Sequence, residues 1–489
     1  MVILFNEALT FDDVLLLPKY SDIVPNQVNT RTRLVKDIYL NVPFLSAAMD
    51  TVTETRMAKA IAREGAAGVI HKNMSIEEQA YKVSKVKRAE NGVITDPITI
   101  SPDTKIKEAE QLMKEYKIGG LPVVDKKNKL LGILTNRDIR FERNSTKQAK
   151  ELMTSYRNLV VAGPQIGLEK AKEILHENKI EKLPIVDKNN KIIGLITIKD
   201  VMAVIEKPLA SRDKKGRLIV GAAIGVSDGL ERAKKLIESA VDFLVLDSAH
   251  GHSSNIINLL KKLKDYDKNI PIIVGNIATK EAAIDLINAG ADALKVGIGP
   301  GSICTTRIVA GIGVPQLTAI MDVNSIAKEN NIPIIADGGI RFSGDIVKAL
   351  AAGASTVMMG SIFAGTEEAP GETIIYNGRK FKTYRGMGSI GAMKNGSKDR
   401  YFQDDVEEVE KLVPEGVEGM VAFKGEVGDL IHQLLGGVKS GMGYIGAGNL
   451  DELIEKAEFV KISPSGMKES HAHDINITKE SPNYFLSGN

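Results

Sequence analysis

Three apolar runs, FLVLD (residues 243–247), PIIVGN (271–276) and ALKVG (293–297), decide the fold of this 489-residue chain. Stretches with the apolar spacing of amphipathic helices, such as 280–289, lie between them. Strands that are apolar at nearly every position, joined by helical crossovers, indicate a parallel sheet that is covered on both faces. The segment therefore predicts an α/β fold with parallel strands.

The same pattern extends through most of the chain. Further candidate helices lie at 228–239, 317–329 and 343–352. Eight strand–helix units favour a (β/α)8 TIM barrel, although an open, doubly wound sheet is the alternative. Polar residues at the ends of the strands would then face the mouth of the barrel. The five remaining candidate strands are 43–47, 67–70, 218–221, 333–337 and 356–360.

A repeat interrupts the barrel pattern after the second unit. The segment 121–138 returns 62 residues later as 183–200, with conservative exchanges at most apolar positions. Each copy ends in Gly-x-x-Thr-x-x-Asp, a spacing that resembles the tandem CBS (Bateman) pair, in which the Thr and Asp bind adenine or guanine nucleotides. We expect CBS copies at 93–150 and 151–205, inserted in a barrel formed by 1–92 and 206–489. The residues in question are Thr135, Asp138, Thr197 and Asp200.

Composition narrows the class of protein. The formal net charge is only +2, so no basic surplus indicates nucleic-acid binding, and no apolar run approaches the roughly 20 residues of a membrane helix. The N-terminus does not resemble a secretory signal. A single cysteine excludes an intramolecular disulfide and zinc sites built on paired cysteines. We therefore expect a cytoplasmic protein.

The single cysteine, Cys304, lies in the glycine-rich segment GIGPGSICTTR (297–307), directly after a predicted strand. Glycines let backbone N–H groups turn toward a ligand, and Thr305, Thr306 and Arg307 supply polar and cationic surroundings that favour a thiolate. A buried, inert thiol is the alternative, because free cysteine often packs as a small apolar residue. The glycines favour a nucleophile.

Two later segments, IADGGIR (335–341) and MGSIFAG (359–365), end the last two predicted strands. Glycine amides and a short helix N-terminus at this place in a barrel commonly bind phosphate, and Asp337 would accept hydrogen bonds from ribose hydroxyls. The alternative is that the glycines only permit tight turns.

From about 386 to 450 the sequence becomes rich in glycine and charge. GMGSIG (386–391) and GMGYIG (441–446) match G-x-G-x-x-G, but neither opens a crossover helix in a strand–helix–strand unit, so we interpret both as flexible loop rather than as dinucleotide-binding turns. A long excursion beside a barrel mouth predicts a flap, at about 386–430. The pairs His250/His252 and His471/His473 are expected in surface loops, not at zinc.

Over essentially its whole length the chain resembles the inosine-5′-monophosphate (IMP) dehydrogenase family. Besides the CBS-like repeat, the cysteine loop and the ADGGIR motif, the matching motifs are LTFDDVLL (9–16), SAAMDTVT (46–53), YRGMGS (384–389), DRYF (399–402) and VPEG (413–416).

The resemblance implies a chemistry. Cys304 would add to C2 of the purine of IMP, hydride would pass to NAD, and water would release XMP. Arg400 on the flap would activate that water, tuned by Thr306 and Tyr401. From sequence alone, Arg400 has an alternative as a surface partner of the acidic residues Asp404, Asp405, Glu407 and Glu408.

The resemblance also implies ligand sets. The phosphate of IMP would contact Ser302, Gly339, Gly360, Ser361 and Tyr384; its ribose Asp337; and its purine Gly386, Met387, Gly388 and Glu415. The NAD set would be Asp247, Asn276, Gly297 and Gly299. Without the resemblance, Asp247 serves equally well as the cap of the following helix.

Two partners follow from the resemblance. Carbonyls of Gly299, Gly301 and Cys304 would form half of a potassium site, completed by Glu469, Ser470 and His471 of a neighbouring subunit. The chain would then be a homotetramer, with an octamer through the CBS-like pair as the larger alternative. ATP or GTP would bind that pair.

Two other functions remain as alternatives. GMP reductase shares the barrel, the cysteine loop and the purine nucleotide, but typically lacks such an insert and the Arg–Tyr pair of the flap. A non-catalytic nucleotide sensor would have lost Cys304, Thr306, Arg400 or Tyr401, and this chain has all four. The sequence therefore favours the dehydrogenase.

Overall fold

The computed structural model describes residues 7–89, 94, 97–142, 146–403, 406, 408–479 and 481–484, with the Asp200 side chain left out. The chain divides into two compact units. The barrel unit contains Met1–Lys87, Leu209–Asp213 and Leu218–Asn489, and the insert unit contains Arg88–Pro208 and Lys214–Arg217.

Eight parallel strands close into a barrel, so the (β/α)8 prediction is confirmed. Each strand pairs with the next in the chain, and the last pairs with the first. Each strand contributes a buried residue to the central core: Leu45, Val69, Ala223, Val245, Ile273, Ala293, Ile335 and Met358. The strands are β1 (Phe44–Ser46), β2 (Ala67–Ile70), β3 (Val220–Ile224), β4 (Phe243–Asp247), β5 (Ile272–Ile277), β6 (Ala293–Val296), β7 (Ile334–Asp337) and β8 (Thr356–Met359).

Four helices were predicted, at 228–239, 280–289, 317–329 and 343–352, and the structure has a helix within a few residues of each. The main crossover helices are these four and four others. They are α1 (Thr55–Arg63), α2 (Ile76–Lys87), α3 (Gly229–Glu238), α4 (Ser254–Tyr266), α5 (Lys280–Asn288), α6 (Gln316–Ala327), α7 (Ser343–Ala351) and α8 (Val427–Ile445). The insert unit leaves the barrel unit between α2 and β3.

The flexible loop predicted at 441–446 is wrong, because these residues form the end of α8 and its C-cap. The helix packs against α7 and α1. Gly441 permits a close approach to α7, since a Cβ there would lie 2.8 Å from Val347. Gly446 ends the helix in the left-handed conformation at φ 72°. These glycines serve helix packing and capping.

The eighth crossover is delayed by a long excursion between β8 and α8. Within it, strands Thr373–Tyr376, Arg379–Arg385 and Glu418–Ala422 form an antiparallel sheet, and the segment between the last two passes through short helical turns at Ile390–Ala392, Met393–Ser397, Lys398–Tyr401 and Val409–Lys411. Further short elements of the barrel unit are strands Val14–Leu16, Thr32–Val35, Ile38–Leu40 and Phe459–Lys461, 3-10 turns Phe11–Asp13 and Pro25–Gln27, and helices Thr306–Val309, Ser361–Ala364, Leu450–Lys456 and Pro464–Ser470.

The insert unit contains two copies of one helix–strand–strand–helix motif. The first copy is Ile106–Tyr116, Gly120–Val124, Leu130–Thr135 and Asn136–Ile139; the second is Leu168–Glu177, Lys182–Val186, Ile192–Thr197 and Ile198–Glu206. The first copy is followed by Ala149–Leu152, Thr154–Ser155 and the 3-10 turn Tyr156–Asn158.

Backbone geometry repeats with the sequence in the insert unit. Lys117 and Lys179 both adopt left-handed φ angles, as do Asn128 and Asn190, and both pairs are 62 positions apart. The copies meet through reciprocal backbone hydrogen bonds: Leu130 N donates to Asn190 O at 2.9 Å, and Ile192 N donates to Asn128 O at 3.1 Å. The two copies are therefore joined as a symmetric pair.

Across the described ranges, none of the helices combines the length and apolar character needed to cross a lipid bilayer.

Candidate active site

A cavity opens at the carboxyl ends of the barrel strands, between the cysteine loop and the excursion that follows β8. Its lining includes fifteen of the residues predicted from the sequence: Asp247, Asn276, Gly297, Gly299, Gly301, Cys304, Thr306, Asp337, Gly360, Tyr384, Gly386, Met387, Arg400, Tyr401 and Glu415. In a TIM barrel this end of the strands is where active sites are found.

Cys304 is a half-buried free thiol in the wall of the cavity. Its Sγ donates a hydrogen bond to Thr306 Oγ1 at 3.2 Å. The backbone of the cysteine loop is bonded to the excursion, because Thr305 N donates to Glu415 O at 2.9 Å and Val417 N donates to Ile303 O at 3.0 Å. The thiol therefore lies between two segments that hold each other in place.

Arg307 was predicted to supply cationic surroundings for the thiol, and it also bonds the backbone of the cysteine loop. Its Nε donates to Ile298 O at 3.1 Å and its Nη2 to Val314 O at 2.5 Å, so the guanidinium closes the cysteine loop through backbone carbonyls. Burial lowers the pKa of Arg307, and the charge of Cys304 opposes that shift. The hydroxyl of Thr306 is the hydrogen-bond partner of the thiol, and Arg307 contributes through its charge.

Arg400 and Tyr401 line the cavity from the short turn Lys398–Tyr401. The Arg400 guanidinium forms an ion pair with Asp247, and its backbone carbonyl accepts a hydrogen bond from Ala249 N at 3.1 Å. Burial raises the pKa of Tyr401, while the adjacent Arg400, which is hydrogen-bonded to the phenol, opposes the shift.

The acidic run considered as a partner of Arg400 is described only in part. Asp404, Asp405 and Glu407 lie outside the described residues, and Glu408 pairs with Lys411.

Ion pairs hold this part of the excursion on the barrel. Asp399, which is 2% exposed, pairs with Lys72 after β2, and Ser227 Oγ donates to Asp399 at 3.2 Å. Arg385 donates to Asp50 after β1, with 2.6 Å from Nη2 to Oδ2. Two ion pairs and one serine hydrogen bond, with the loops after three strands, therefore place Arg400 and Tyr401 at the mouth.

Lys295 is a central residue of the site that we did not predict. It lies in β6, is 2% exposed, and donates to Asp247 Oδ1 at 2.9 Å and to Asp337 Oδ2 at 2.7 Å. It also contacts Asn276 Oδ1. The available signal was a lysine inside an apolar parallel strand, a position that requires buried partners of opposite charge.

The residues predicted for the phosphate lie around the ends of β7 and β8. Tyr384 is 5% exposed and hydrogen-bonded to Ser302; burial raises the pKa of Tyr384, and this bond opposes the shift. A Cβ at Gly360 would lie 2.7 Å from the Tyr384 hydroxyl, so only glycine fits. Gly339 has a φ of 78°, and Ser361 begins the helix Ser361–Ala364.

The residues predicted for the purine edge form a backbone layer with the cysteine loop. Gly386 N donates to Val417 O, and Glu415 N donates to Gly388 O, both at 3.0 Å. Gly388 does not line the cavity itself: a Cβ there would lie 2.7 Å from the Tyr401 ring, so glycine permits that ring to pack.

The two halves of the predicted potassium site are not together within one chain. Gly299, Gly301 and Cys304 line the cavity, whereas Glu469, Ser470 and His471 lie at the end of the helix Pro464–Ser470. His471 contacts Tyr484 through a 3.1 Å hydrogen bond and packs against the Phe342 ring. None of these three lines the cavity of its own chain.

In the insert unit, Thr135 and Asp138 are bonded to each other. The backbone N and the Oγ1 of Thr135 both donate to Asp138 Oδ2, at 2.7 and 2.8 Å, which caps the helix Asn136–Ile139. Thr197 ends the equivalent strand, and the Asp200 side chain lies outside the described residues.

Comparison with known proteins gives one family. The model of the IMP dehydrogenase / GMP reductase domain matches residues 8–473. The chain is 58% identical over 482 residues to an inosine-5′-monophosphate dehydrogenase of Streptococcus pyogenes, and 57% identical over 485 residues to that of Aquifex aeolicus; each alignment covers 98% of both chains.

Among solved structures, the chain is similar to a GMP reductase of Trypanosoma brucei that carries a Cys-to-Ala substitution and binds guanosine 5′-monophosphate. The TM-score is 0.87 with 42% identity, over 96% of this chain and 99% of that one. Such coverage includes most of the insert unit. The insert therefore does not separate the two enzymes, contrary to our expectation, although the identity to the dehydrogenases is higher. The chain belongs to the IMP dehydrogenase family.

Proposed function

We propose that this chain catalyses the NAD-dependent oxidation of IMP to XMP, through a covalent bond between Cys304 and the purine. The observation that carries the proposal is that Cys304 and the Arg400–Tyr401 pair line one cavity. A nucleophile alone would fit many acyl or redox enzymes. A nucleophile facing an arginine–tyrosine pair fits a reaction in which a covalent intermediate must then be hydrolysed.

In the first half-reaction the Cys304 thiolate attacks C2 of the purine. The carbon then carries a C–S bond and loses its hydrogen as hydride. NAD, when bound beside the purine, accepts that hydride. The layer formed by the cysteine loop, Gly386–Gly388 and Glu415 would hold the purine edge, with Ser302, Gly339, Gly360, Ser361 and Tyr384 around the phosphate.

In the second half-reaction water attacks C2 and the C–S bond breaks, which frees the thiolate and XMP. Arg400 is the group proposed to accept a proton from that water. A guanidinium rarely serves as a base, because it stays protonated in ordinary surroundings. The buried phenol of Tyr401, hydrogen-bonded to Arg400, and Thr306 beside the thiol are the neighbours that would tune it.

Asp247 is proposed to serve both half-reactions. A carboxylate at the end of β4 is well suited to two ribose hydroxyls, and with Asn276, Gly297 and Gly299 it would hold the nicotinamide end of NAD. In this structure Arg400 pairs with the same carboxylate. Cofactor and flap would therefore occupy this place in turn, and hydride transfer would precede hydrolysis.

The potassium ion and the tetramer are proposed together. The donors in the cysteine loop are the backbone carbonyls of Gly299, Gly301 and Cys304, and uncharged oxygen donors suit a hard monovalent cation. Glu469, Ser470 and His471 lie away from the cavity of their own chain, which is consistent with their serving a neighbouring subunit in a homotetramer.

The insert unit is proposed to bind ATP or GTP at its two Thr–Asp positions, with the octamer as the larger assembly. Its two copies share the Thr–Asp spacing in sequence, and reciprocal backbone hydrogen bonds join them. Nucleotide titration should change the sedimentation profile or the rate; a chain whose sedimentation and rate both stay constant would contradict this role.

The assay of the main proposal is NADH formation by the purified chain with IMP, NAD and KCl. We expect NADH and XMP in equal amounts, with less NADH when NaCl replaces KCl. The contrary outcome is no NADH from IMP but consumption of NADPH with GMP, which would assign the chain to the reductase branch of the family.

A further inference from the structure

We propose that Lys295 is a positioning residue that couples the IMP subsite to the place shared by NAD and the flap, by holding one oxygen of Asp247 and one of Asp337. The inference rests on the proposed function. It concerns a residue that lines the cavity and has no part in the two half-reactions above, and it assigns to this lysine the orientation and charge of both ribose-facing carboxylates.

The geometry is that of one cation between two anions. Lys295 Nζ lies 2.9 Å from Asp247 Oδ1 and 2.7 Å from Asp337 Oδ2. Asn276 completes the group, because its Nδ2 donates to Asp337 Oδ2 at 2.9 Å while its Oδ1 contacts Lys295. Strands β4, β5, β6 and β7 each supply one of these residues, so their positions are fixed by the barrel itself.

Each carboxylate keeps a second oxygen for a partner in the cavity. The Oδ2 of Asp247 is taken by Arg400. The hydrogen bonds that Asp337 accepts at its carboxylate from described residues converge on Oδ2, and its side chain lines the cavity. Lys295 therefore orients both carboxylates with the free oxygen toward a ligand.

The net charge of Asp247, Asp337 and Lys295 determines which partner this part of the cavity attracts. Two carboxylates and one ammonium sum to −1, and the Arg400 guanidinium brings the sum to zero. The nicotinamide ring of NAD is also cationic, whereas that of NADH is neutral. The place beside Asp247 therefore attracts the oxidised cofactor or Arg400, and hydride transfer removes the attraction for the cofactor and favours Arg400.

The chain offers a matched control at the other end of the barrel. Lys87 is 3% exposed and pairs with Asp213 at 3.0 Å and Asp242 at 2.6 Å, away from the cavity. Lys295→Met and Lys87→Met each remove a buried ammonium from between two aspartates and keep a similar side-chain length. We expect both variants to lose stability. A change in the kinetic constants that appears only in Lys295→Met therefore indicates a positioning role and not a loss of stability.

The experiment measures kcat, KM for IMP and KM for NAD in the parent, Lys295→Met, Lys295→Arg and Lys87→Met. We expect Lys295→Met to raise both KM values about tenfold or more, because Asp247 and Asp337 each lose the charge-assisted hydrogen bond that orients them. For NAD, we expect this loss of orientation to outweigh the attraction from the extra negative charge. Lys295→Arg should recover part of the loss, and Lys87→Met should match the parent. Equal KM values in Lys295→Met and Lys87→Met would overturn the inference.

Asp337→Asn provides a second test that is independent of removing the lysine, because the side chain keeps its shape. With the charge at Asp337 gone, the group around Asp247 sums to zero, so KM for NAD should rise several-fold although Asp337 faces IMP. An unchanged KM for NAD contradicts the coupling. A parent that forms no NADH from IMP instead contradicts the proposed function, and the inference with it.

Discussion

Both ends of this barrel bury a lysine between two aspartates. The two arrangements differ in which carboxylate oxygens the lysine bonds. At the amino ends of the strands, Lys87 donates to both oxygens of Asp242, at 2.8 and 2.6 Å, and Val220 N donates to Asp242 Oδ2. At the carboxyl ends, Lys295 takes one oxygen from each carboxylate.

The difference teaches how to recognise a functional group among buried charges. At the amino end the protein itself satisfies both oxygens of Asp242, and the Lys87 ammonium also donates to Leu218 O at 2.9 Å. At the carboxyl end the second oxygen of Asp247 is taken by Arg400 of the excursion, and the hydrogen bonds to the Asp337 carboxylate from described residues use Oδ2 alone. Both ends bury and pair their charges, so carboxylate oxygens that the barrel strands themselves do not satisfy are what mark the site.

The largest expected effect is at Cys304. Cys304→Ser keeps a small hydrogen-bonding side chain, but a hydroxyl is not ionised at neutral pH and does not form the covalent bond. We expect NADH formation from IMP to fall by at least about 10³-fold, with a melting temperature within about 2 °C of the parent. Turnover by the serine variant at a tenth of the parent rate would show that the covalent step is not required.

Arg400 tests the second half-reaction separately from the first. Arg400→Ala should leave the covalent step intact and slow hydrolysis by about 10²–10⁴-fold, the usual contribution of a positioned base. Rapid mixing with IMP and NAD should then give a burst of one NADH per site, followed by slow turnover. A variant that loses the burst and the steady-state rate equally would assign Arg400 to substrate binding.

The barrel was predictable because its signal is local and repeated. Apolar runs such as 243–247 and 271–276 alternate with helical spacing, and this pattern depends on burial of whole strands rather than on any one contact. The failure at 441–446 has a physical reason. Glycines are typical of loops, yet Gly441 is needed because α8 passes close to α7. No local sequence pattern shows that contact.

Site residues that belong to a sequence motif were predictable. Residues that join the site only through contacts between distant parts of the chain were harder to predict. Cys304 and Arg400 came from motifs, and the structure brings both to one cavity. Lys295 was visible in the sequence, but its partners Asp247 and Asp337 are 48 and 42 positions away and meet it only when the barrel closes.

Lys87 tests the amino end of the comparison. Lys87→Met leaves Asp242 without its cation, and burial already raises the pKa of that carboxyl despite the lysine. We expect the free energy of unfolding to fall by about 3 kcal/mol, the usual cost of breaking a buried pair from one side, with kcat within about twofold of the parent. Chemical denaturation and the NADH assay check the two halves. A tenfold loss of kcat without loss of stability would reverse the roles assigned to the two ends.

The smallest expected effect tests this distinction on a carboxylate at the carboxyl end of the barrel. The protein itself supplies the partners of both its oxygens. Glu54, just before α1, lies 3.4 Å from His71 and 2.7 Å from Lys82, and it does not line the cavity. The hydrogen bond from His71 and the contact with Lys82 lower the pKa of Glu54 to about 2, against the opposing effect of burial. By our rule this carboxylate supports stability and not catalysis.

A depressed carboxyl pKa fixes the sign of the pH dependence. Stability from Glu54 is fully present above its ordinary pKa of 4.5 and is lost as the pH falls toward 2. Because the side chain is one-third exposed, we discount the effect to about 1 kcal/mol. Glu54→Gln should therefore unfold more easily than the parent at pH 6, and the difference should vanish near pH 2, with KM values unchanged. A difference that is the same at both pH values would mean that packing, and not the charge, is what Glu54 contributes.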